Sequence, residues 1–290
     1  MYNDKIRTVR SNFLIHWTGK DIQTDYKKLK FCETQRQEYV HRLRGTIDRL
    51  SGGLWMREIT EEVRGHDGSK IEYGWQTPAT CFTELKLSDI YEHTKCYGCL
   101  GFGFDREFVI KRCGIPIQYV SGTEDDNMVE NFAFLIATLD DLENFFQYSK
   151  VKKFLEDLDE HDYEELMFGP GKFNPKKFTL RNFLKGLKFN ISFLKEMSSE
   201  DNVGDYKFLD EFEWRIVYTD RAFKEEKIKE TKLSEPKCKI PFTQNELKVL
   251  ILPDDDTRQQ ALNDSYIKDW LFEYPAELPI IATVSECLQF

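Results

Sequence analysis

The chain has 290 residues, 40% of them hydrophobic and 14% aromatic, which is enough apolar material for a sizeable core and excludes global disorder. Its formal net charge of −10 argues against a general DNA- or RNA-binding role, because neutralising phosphates requires a basic face. No signal-peptide core, no apolar run near the ~20 residues of a membrane helix and no disulfide-like spacing among the seven cysteines is evident. These features predict a reduced, soluble, cytoplasmic protein.

Apolar periodicity predicts the elements in chain order. The first part is predicted to contain a strand over 12–17, a helix within 21–50, a loop or hairpin over 63–78, and strands over 80–83, 100–104 and 117–120 separated by two short helices. Residues 126–198 are predicted to be mostly helical. The last part is predicted to contain a strand within 208–218, a polar loop over about 222–238, a strand over 247–252, a helix from 253 to 272 and a strand over 278–284.

The predicted strands lie at both ends of the chain. Strands from the first quarter and from the last third must share one sheet, since neither set alone makes a core. The sequence therefore predicts a single α+β domain over residues 1–290, with a mixed sheet and a helical insertion at about 126–198.

The strand within residues 208–218, FLDEFEWRIVY, carries the most informative pattern. Its even positions are mostly apolar, whereas its odd positions include Glu211, Glu213 and Arg215. This alternation predicts a charged face turned away from the core, either bathed in solvent or lining a cleft. His16 lies opposite the apolar face of the strand over 12–17, so a shared core would place it on the same side of the sheet as Glu213.

Other motifs favour structural explanations. His93, Cys96 and Cys99 resemble half of a zinc site, but no second half is present, so small core residues at a turn are favoured and no metal is predicted. The glycines within 98–103 follow a helix and lack the strand–loop–helix order of a dinucleotide-binding loop; they indicate close backbone approach instead. No GxSxG motif or local cysteine signature indicates a nucleophile.

Several short motifs resemble the AbiGi family of bacterial abortive-infection, or phage-resistance, proteins. In chain order they are His16-Trp17-Thr18-Gly19, Pro78, Cys81-Phe82-Thr83-Glu84, His93, Tyr97-Gly98, Gly103-Phe104-Asp105 and Glu213-Trp214-Arg215. They lie within residues 12–121 and 208–218. AbiGi proteins are usually labelled as the antitoxin-like member of a two-gene system. The resemblance therefore implies an antiviral defence role with a partner toxin or phage component, and it implies no reaction.

The order of these elements is more distantly similar to ADP-ribosyltransferases, including DarT-type DNA-modifying toxins, in which a split sheet holds NAD. That similarity implies an ADP-ribosyltransferase-like core with NAD as substrate. It implies Glu213 as the catalytic residue, with Glu211 completing an E-x-E pattern. No Ser-Thr-Ser motif precedes the glutamate, and in this respect the chain departs from the pattern.

The same similarity implies a set of NAD-binding residues. His16 and Thr18 would bind NAD, an aromatic residue (Tyr73, Trp75 or Phe82) would stack on the nicotinamide, and Arg57 is the candidate for neutralising the pyrophosphate. Cleavage of the nicotinamide–ribose bond passes through an oxocarbenium-like centre, which a nearby carboxylate stabilises.

Three functional hypotheses follow. The first is an NAD-dependent ADP-ribosyltransferase or NAD glycohydrolase that modifies a small or macromolecular acceptor, with nucleic acid included only as an acceptor. The second is a non-catalytic antitoxin or sensor that binds a partner toxin. The third is an α+β domain whose E-x-E face is simply solvated. The geometric test between them is whether His16 and Glu213 face the same cleft.

Overall fold

The structure, a computed structural model, describes part of the chain. The described residues are 13–22, 30–59, 61–64, 70–73, 78–84, 86–120, 138, 141, 144–145, 148–149, 153, 190, 193–196, 212–231 and 237–289. The chain divides into two compact units. The first comprises residues 1–59, 76–117 and 199–290, and the second comprises residues 60–75 and 118–198.

The secondary structure of the described residues combines short strands with short helices. The strands are β1 (Phe13–Thr18), β2 (Leu54–Glu58), β3 (Glu61–Arg64), β4 (Lys70–Tyr73), β5 (Pro78–Thr83), β6 (Leu100–Asp105), β7 (Ile115–Pro116), β8 (Gln118–Val120), β9 (Leu194–Glu196), β10 (Glu213–Val217), β11 (Lys229–Glu230), β12 (Cys238–Ile240), β13 (Leu247–Leu252) and β14 (Ile280–Thr283). The helices are α1 (Glu33–Thr46), α2 (Ile90–Tyr97), α3 (Arg106–Lys111), α4 (Asp220–Lys224), α5 (Asp255–Asn263), α6 (Ser265–Leu271) and α7 (Val284–Cys287). Short 3₁₀ turns span Lys20–Ile22, Leu87–Asp89, Gln244–Glu246 and Pro275–Glu277.

The first unit is built on one large mixed sheet. Its strand order is β11-β12-β2-β5-β1-β6-β13-β14, and β10 pairs with both β5 and β7. All neighbours are antiparallel except β13 and β14, which are parallel. The predicted α+β class, with first-quarter and late strands in one mixed sheet, is confirmed. The strand order does not by itself identify an ADP-ribosyltransferase-like core.

Strand β5 is the branch point of this sheet. On one edge, β10 pairs along almost its whole length, from Glu213 opposite Thr83 to Val217 opposite Ala79. The other edge is shared, because β1 pairs at Thr83 through Ile15 whereas β2 pairs at the opposite end, through Arg57 opposite Ala79. Strands β1 and β2 therefore diverge along this edge of β5 and leave a fork beside residues 80–81.

Side chains cover both faces of the sheet. On one face, the Trp17 indole lies 5.9 Å from the His93 ring of α2 and donates to the Thr83 hydroxyl at 3.1 Å. Gly101 makes room for this indole, since a Cβ at that position would lie 3.0 Å from it. On the other face, Phe104 stacks on Phe108 of α3, with ring centroids 4.1 Å apart. The strand glycine thus marks a close approach, as the sequence indicated.

In the second unit, β3 and β4 form an antiparallel hairpin and β8 pairs in parallel with β9. The hairpin matches one of the two alternatives predicted for residues 63–78. Most of the predicted helical insertion at 126–198 lies outside the described residues, so the insertion and the single-domain assignment stay predictions.

Two predicted segments differ from the structure. The polar loop expected at about 222–238 begins inside α4 and also contains β11. That helix starts at residue 220 because the Thr219 hydroxyl accepts the Ala222 amide at 3.0 Å, an N-cap that the lysine-rich composition concealed. The single helix expected from 253 to 272 is two helices. Asp264 interrupts it by capping α6 through the Ile267 amide at 3.0 Å.

Candidate functional site

A cleft of about 280 Å³ lies at the fork between β1 and β2. Its walls come from β1, β2, β5, α1 and the 3₁₀ turn that follows β1. The polar and aromatic side chains that line it include His16, Thr18, Lys20, Asp21, Arg42, Trp55, Arg57 and Thr80. The fork separates two strands that pair with opposite ends of β5, and these side chains line the space between them.

His16 is held in the cleft as a neutral imidazole. Its Nδ1 lies 2.9 Å from the Cys81 carbonyl oxygen, and because a carbonyl can only accept, Nδ1 must carry the proton. Burial lowers the pKa of His16 from 6.5 to about 4, an effect that the Cys81 carbonyl opposes and the positive charge of Arg57 reinforces. At neutral pH, Nε2 is therefore a hydrogen-bond acceptor.

Arg42 reaches the cleft from α1 and is held by three groups. Its Nη2 donates to Asp21 at 2.6 Å, and its Nη1 donates to the Thr18 hydroxyl at 3.2 Å. Its guanidinium carbon also lies 5.6 Å from the centre of the Trp55 ring. The hydrogen bond from Arg42 lowers the pKa of Asp21, so this carboxylate stays ionised and tied to the arginine.

Arg57 extends from β2 on the same side as Trp55, two residues earlier, because side chains alternate along a strand. Its guanidinium carbon lies 5.7 Å from the Trp55 ring centre. The side chain is exposed, and within the described part of the chain no hydrogen bond or ion pair engages it. Arg57 is therefore an exposed cation that lines the cleft.

The cleft carries positive charge in an acidic protein. Lys20, Arg42 and Arg57 line it, against the one carboxylate of Asp21 among the residues described there. A local excess of two positive charges thus occurs in a chain with a formal net charge of −10. Such a local excess of positive charge attracts anions, and the low-dielectric walls of a cleft strengthen the attraction.

Gly98, which ends α2, supports the turn that carries Thr18 and Lys20. Its φ of +104° favours glycine, and a Cβ there would lie 2.5 Å from the backbone of Gly19 and Lys20. The segment after β1 can approach α2 this closely only because residue 98 has no side chain. Tyr39 of α1 holds the same turn by donating its hydroxyl to the Gly19 carbonyl at 3.2 Å.

Glu213 is not in this cleft. Register places Glu213 opposite Thr83, and Thr83 opposite Ile15, so these three side chains share one face of the sheet. His16, the next residue along β1, points to the other face, where its ring lies 5.8 Å from that of Phe82. The prediction that His16 and Glu213 share a face is therefore wrong.

The described charged side chains of β10 are not solvated either, and they do not line the cleft at the fork. Glu213 and Arg215 are both buried, with side chains 4% and 3% exposed, and Arg215 Nε donates to Glu213 Oε1 at 2.5 Å. Mutual neutralisation allows the pair to be buried, which alternation of polarity alone does not reveal. On the opposite face of β10, Trp214 Nε1 donates to the buried carboxylate of Glu84 at 3.0 Å, and Arg106 contacts the same carboxylate.

The remaining predicted site residues have different locations. His16, Thr18 and Arg57 line one cleft. Phe82 is completely buried in the core. Tyr73 belongs to β4 of the second unit, and its side chain lies outside the described residues, as do Trp75 and Glu211.

Sequence reasoning missed Arg42, Trp55, Lys20 and Asp21. A partial signal for Trp55 existed, because Trp55 stands two residues before Arg57 and residues two apart in a strand share a face, but no strand was predicted over these residues. No local pattern marks Arg42, which reaches the cleft only through the packing of α1.

The described residues offer neither a metal site nor a membrane span. Within them, no group of three histidine, cysteine or acidic side chains is arranged to hold a metal ion. None of the described helices has the length and apolarity needed to cross a membrane.

Comparison with protein-family models matches residues 56–250 to AbiGi, described as "Putative abortive phage resistance protein AbiGi, antitoxin". The matched stretch covers well over half of the chain and contains Arg57 and Glu213, whereas His16, Thr18 and Arg42 precede it. Comparison with curated proteins and with solved structures finds no match. The chain belongs to the AbiGi family of abortive phage resistance proteins.

Proposed function

We propose that this protein serves abortive phage resistance as a non-catalytic binding component, in the antitoxin role that the family description names. The observation that carries the proposal is the separation of the cleft from the predicted catalytic carboxylate. The cleft offers cationic and neutral polar groups, while Glu213 does not line it and is engaged in a buried ion pair with Arg215. In this role the protein binds a partner toxin, and the cleft is its ligand site.

The chemistry of NAD cleavage explains why this separation matters. An enzyme that breaks the nicotinamide–ribose bond needs a carboxylate beside the ribose, where positive charge develops. Asp21 is the carboxylate that lines the described part of the cleft, and Arg42 already engages it with two hydrogen bonds, at 2.6 and 3.3 Å. Because Arg42 offsets its negative charge, Asp21 is poorly suited to stabilise a cationic transition state. This favours a binding role for the cleft over a catalytic one.

A second candidate is the NAD-dependent ADP-ribosyltransferase or NAD glycohydrolase implied by the distant similarity. One observation favours it: three residues predicted to bind NAD, His16, Thr18 and Arg57, line a single cleft. In this candidate, NAD occupies the cleft as substrate, and a small or macromolecular acceptor receives the ADP-ribosyl group. Catalysis by Glu213 would require its release from Arg215.

Two measurements separate the candidates. Purified wild-type protein is incubated with NAD and free nicotinamide is followed over time; the binding role predicts no release above the rate in buffer. In cells carrying the complete two-gene system, depletion of this protein alone is expected to arrest growth, and removal of the partner toxin as well is expected to restore it. Nicotinamide release by the wild-type protein, or undisturbed growth on depletion, would contradict the antitoxin role.

A further inference from the structure

We infer that the cleft at the fork binds a phosphate-bearing ligand of about mononucleotide size, with Arg57 as the main contact to the phosphate. The inference rests on the proposed binding role of this cleft and specifies its class of ligand. It requires neither the partner toxin nor any turnover of the ligand.

Charge indicates that the ligand is an anion. Arg42 is committed to Asp21 and Thr18, so it contributes positive charge while its donors are largely used. Arg57 and Lys20 are exposed, and among the described residues neither makes an ion pair. Two cationic groups are therefore available at the cleft, where an arriving anion would meet them.

Phosphate matches the available donors better than other anions do. A guanidinium presents several N–H groups in one plane, which suits the oxygens of a phosphate in a two-point contact. Packing of Arg57 against the Trp55 ring, at 5.7 Å from its centre, limits the orientations of the guanidinium before any ligand binds. Less side-chain entropy is lost on binding when the donor is already oriented.

A second contact adds to the description of the ligand. His16 is neutral and its Nδ1 proton is committed to Cys81, so Nε2 offers an acceptor for a ligand hydroxyl. A phosphorylated ribose carries both groups, a phosphate and hydroxyl donors. The volume of about 280 Å³ lies just below the range of about 300–1,000 Å³ of small-molecule sites, so it suits a ligand no larger than one nucleotide, and a dinucleotide such as NAD would extend beyond the cleft.

Isothermal titration of the full-length protein tests the inference with AMP, adenosine and NAD as probes. AMP is expected to bind. Adenosine is expected to bind at least about tenfold more weakly, because it lacks the phosphate that would accept a charge-assisted hydrogen bond from Arg57. Arg57→Ala is expected to weaken AMP binding by a similar factor. The matched control is Arg49→Ala, which removes an exposed arginine that pairs with Glu273 and does not line the cleft.

Three results would overturn the inference. They are the absence of AMP binding to wild-type protein, equal affinity for adenosine and AMP, and equal losses in the Arg57 and Arg49 variants. NAD binding more than about a hundredfold tighter than AMP would refute the size argument, since the second nucleotide would then have its own contacts. Circular dichroism of both variants confirms that they are folded. The titration involves no toxin. Its result therefore stands even if the growth experiment contradicts the antitoxin role, and the two failures can be told apart.

Discussion

Replacement of Glu213 by glutamine is the sharpest test of the structural role assigned to this residue. Glutamine keeps the shape of the side chain but cannot neutralise the guanidinium of Arg215, which is 3% exposed. Removing one member of a buried ion pair costs about 3–5 kcal/mol, because the remaining charge stays desolvated. Stabilities of folded proteins are only about 5–15 kcal/mol, so the Glu213→Gln variant should lose a large share of its free energy of unfolding.

The matched control is Glu225→Gln. Glu225 pairs with Arg221 at 2.8 Å through the same atoms and with Lys227 at 2.7 Å, but Arg221 is 78% exposed and Glu225 is 39% exposed, so at most a small loss of stability is expected, well below that of Glu213→Gln. Urea denaturation followed by tryptophan fluorescence measures both variants, and Trp214 reports directly from the strand concerned. Adding Arg215→Met to Glu213→Gln should recover part of the loss, because a neutral pair removes the buried charge. A Glu213→Gln variant as stable as the Glu225→Gln variant would refute the argument and reopen a catalytic role for Glu213.

Further predictions concern pH and the glycines near the cleft. His16 has its pKa lowered in the folded state, so its contribution to stability is complete above about pH 6.5 and is lost as the pH falls toward 4. Between about pH 7.5 and 4.5 the wild-type protein should therefore lose about 1–2.5 kcal/mol more of its free energy of unfolding than His16→Asn. The exposed-site control His41→Asn should follow the wild type, and identical pH profiles for all three proteins would contradict the assignment. Gly98→Ala should destabilise the protein by about 2–4 kcal/mol, since its Cβ would overlap the backbone of the turn after β1. Gly45→Ala, in α1 with nothing within 4 Å of the new Cβ, should be neutral or stabilising by up to about 1 kcal/mol in thermal melts, and equal melting temperatures for the two variants would refute the difference.

Strand periodicity and turn residues predicted much of the fold. The segment Leu247–Leu252 and the two strands flanking α2 are where alternation and apolar runs indicated them. The shared sheet also followed from a physical requirement, because neither end of the chain supplies enough strands for a core. Errors occurred where one side chain decides a boundary, as with the cap by Asp264 that divides the last long helix.

The site was less predictable, for reasons of register and packing. His16, Thr18 and Arg57 were identified individually and do line one cleft. The face occupied by Glu213 depends on its register with β5, and a shift of one residue reverses every side chain of a strand. Sequence alternation shows that a strand has two faces, but it cannot show that both faces are buried. Arg42 reaches the cleft only because α1 packs beside it, and the sequence around Arg42 contains no pattern that predicts this packing.

The position of β6 has a consequence for synthesis of the protein. This strand lies between β1, made early, and β13, whose residues are translated roughly 140 positions after β6 is complete. At about 5–20 residues per second, the edge that β13 will occupy stays open for roughly 7–30 s on each nascent chain. Open strand edges recruit other chains, so a ribosome that stalls or terminates before Leu247 releases a product with an exposed, phenylalanine-rich edge. Such truncated chains are expected to aggregate or be degraded, and only complete chains can contribute to defence.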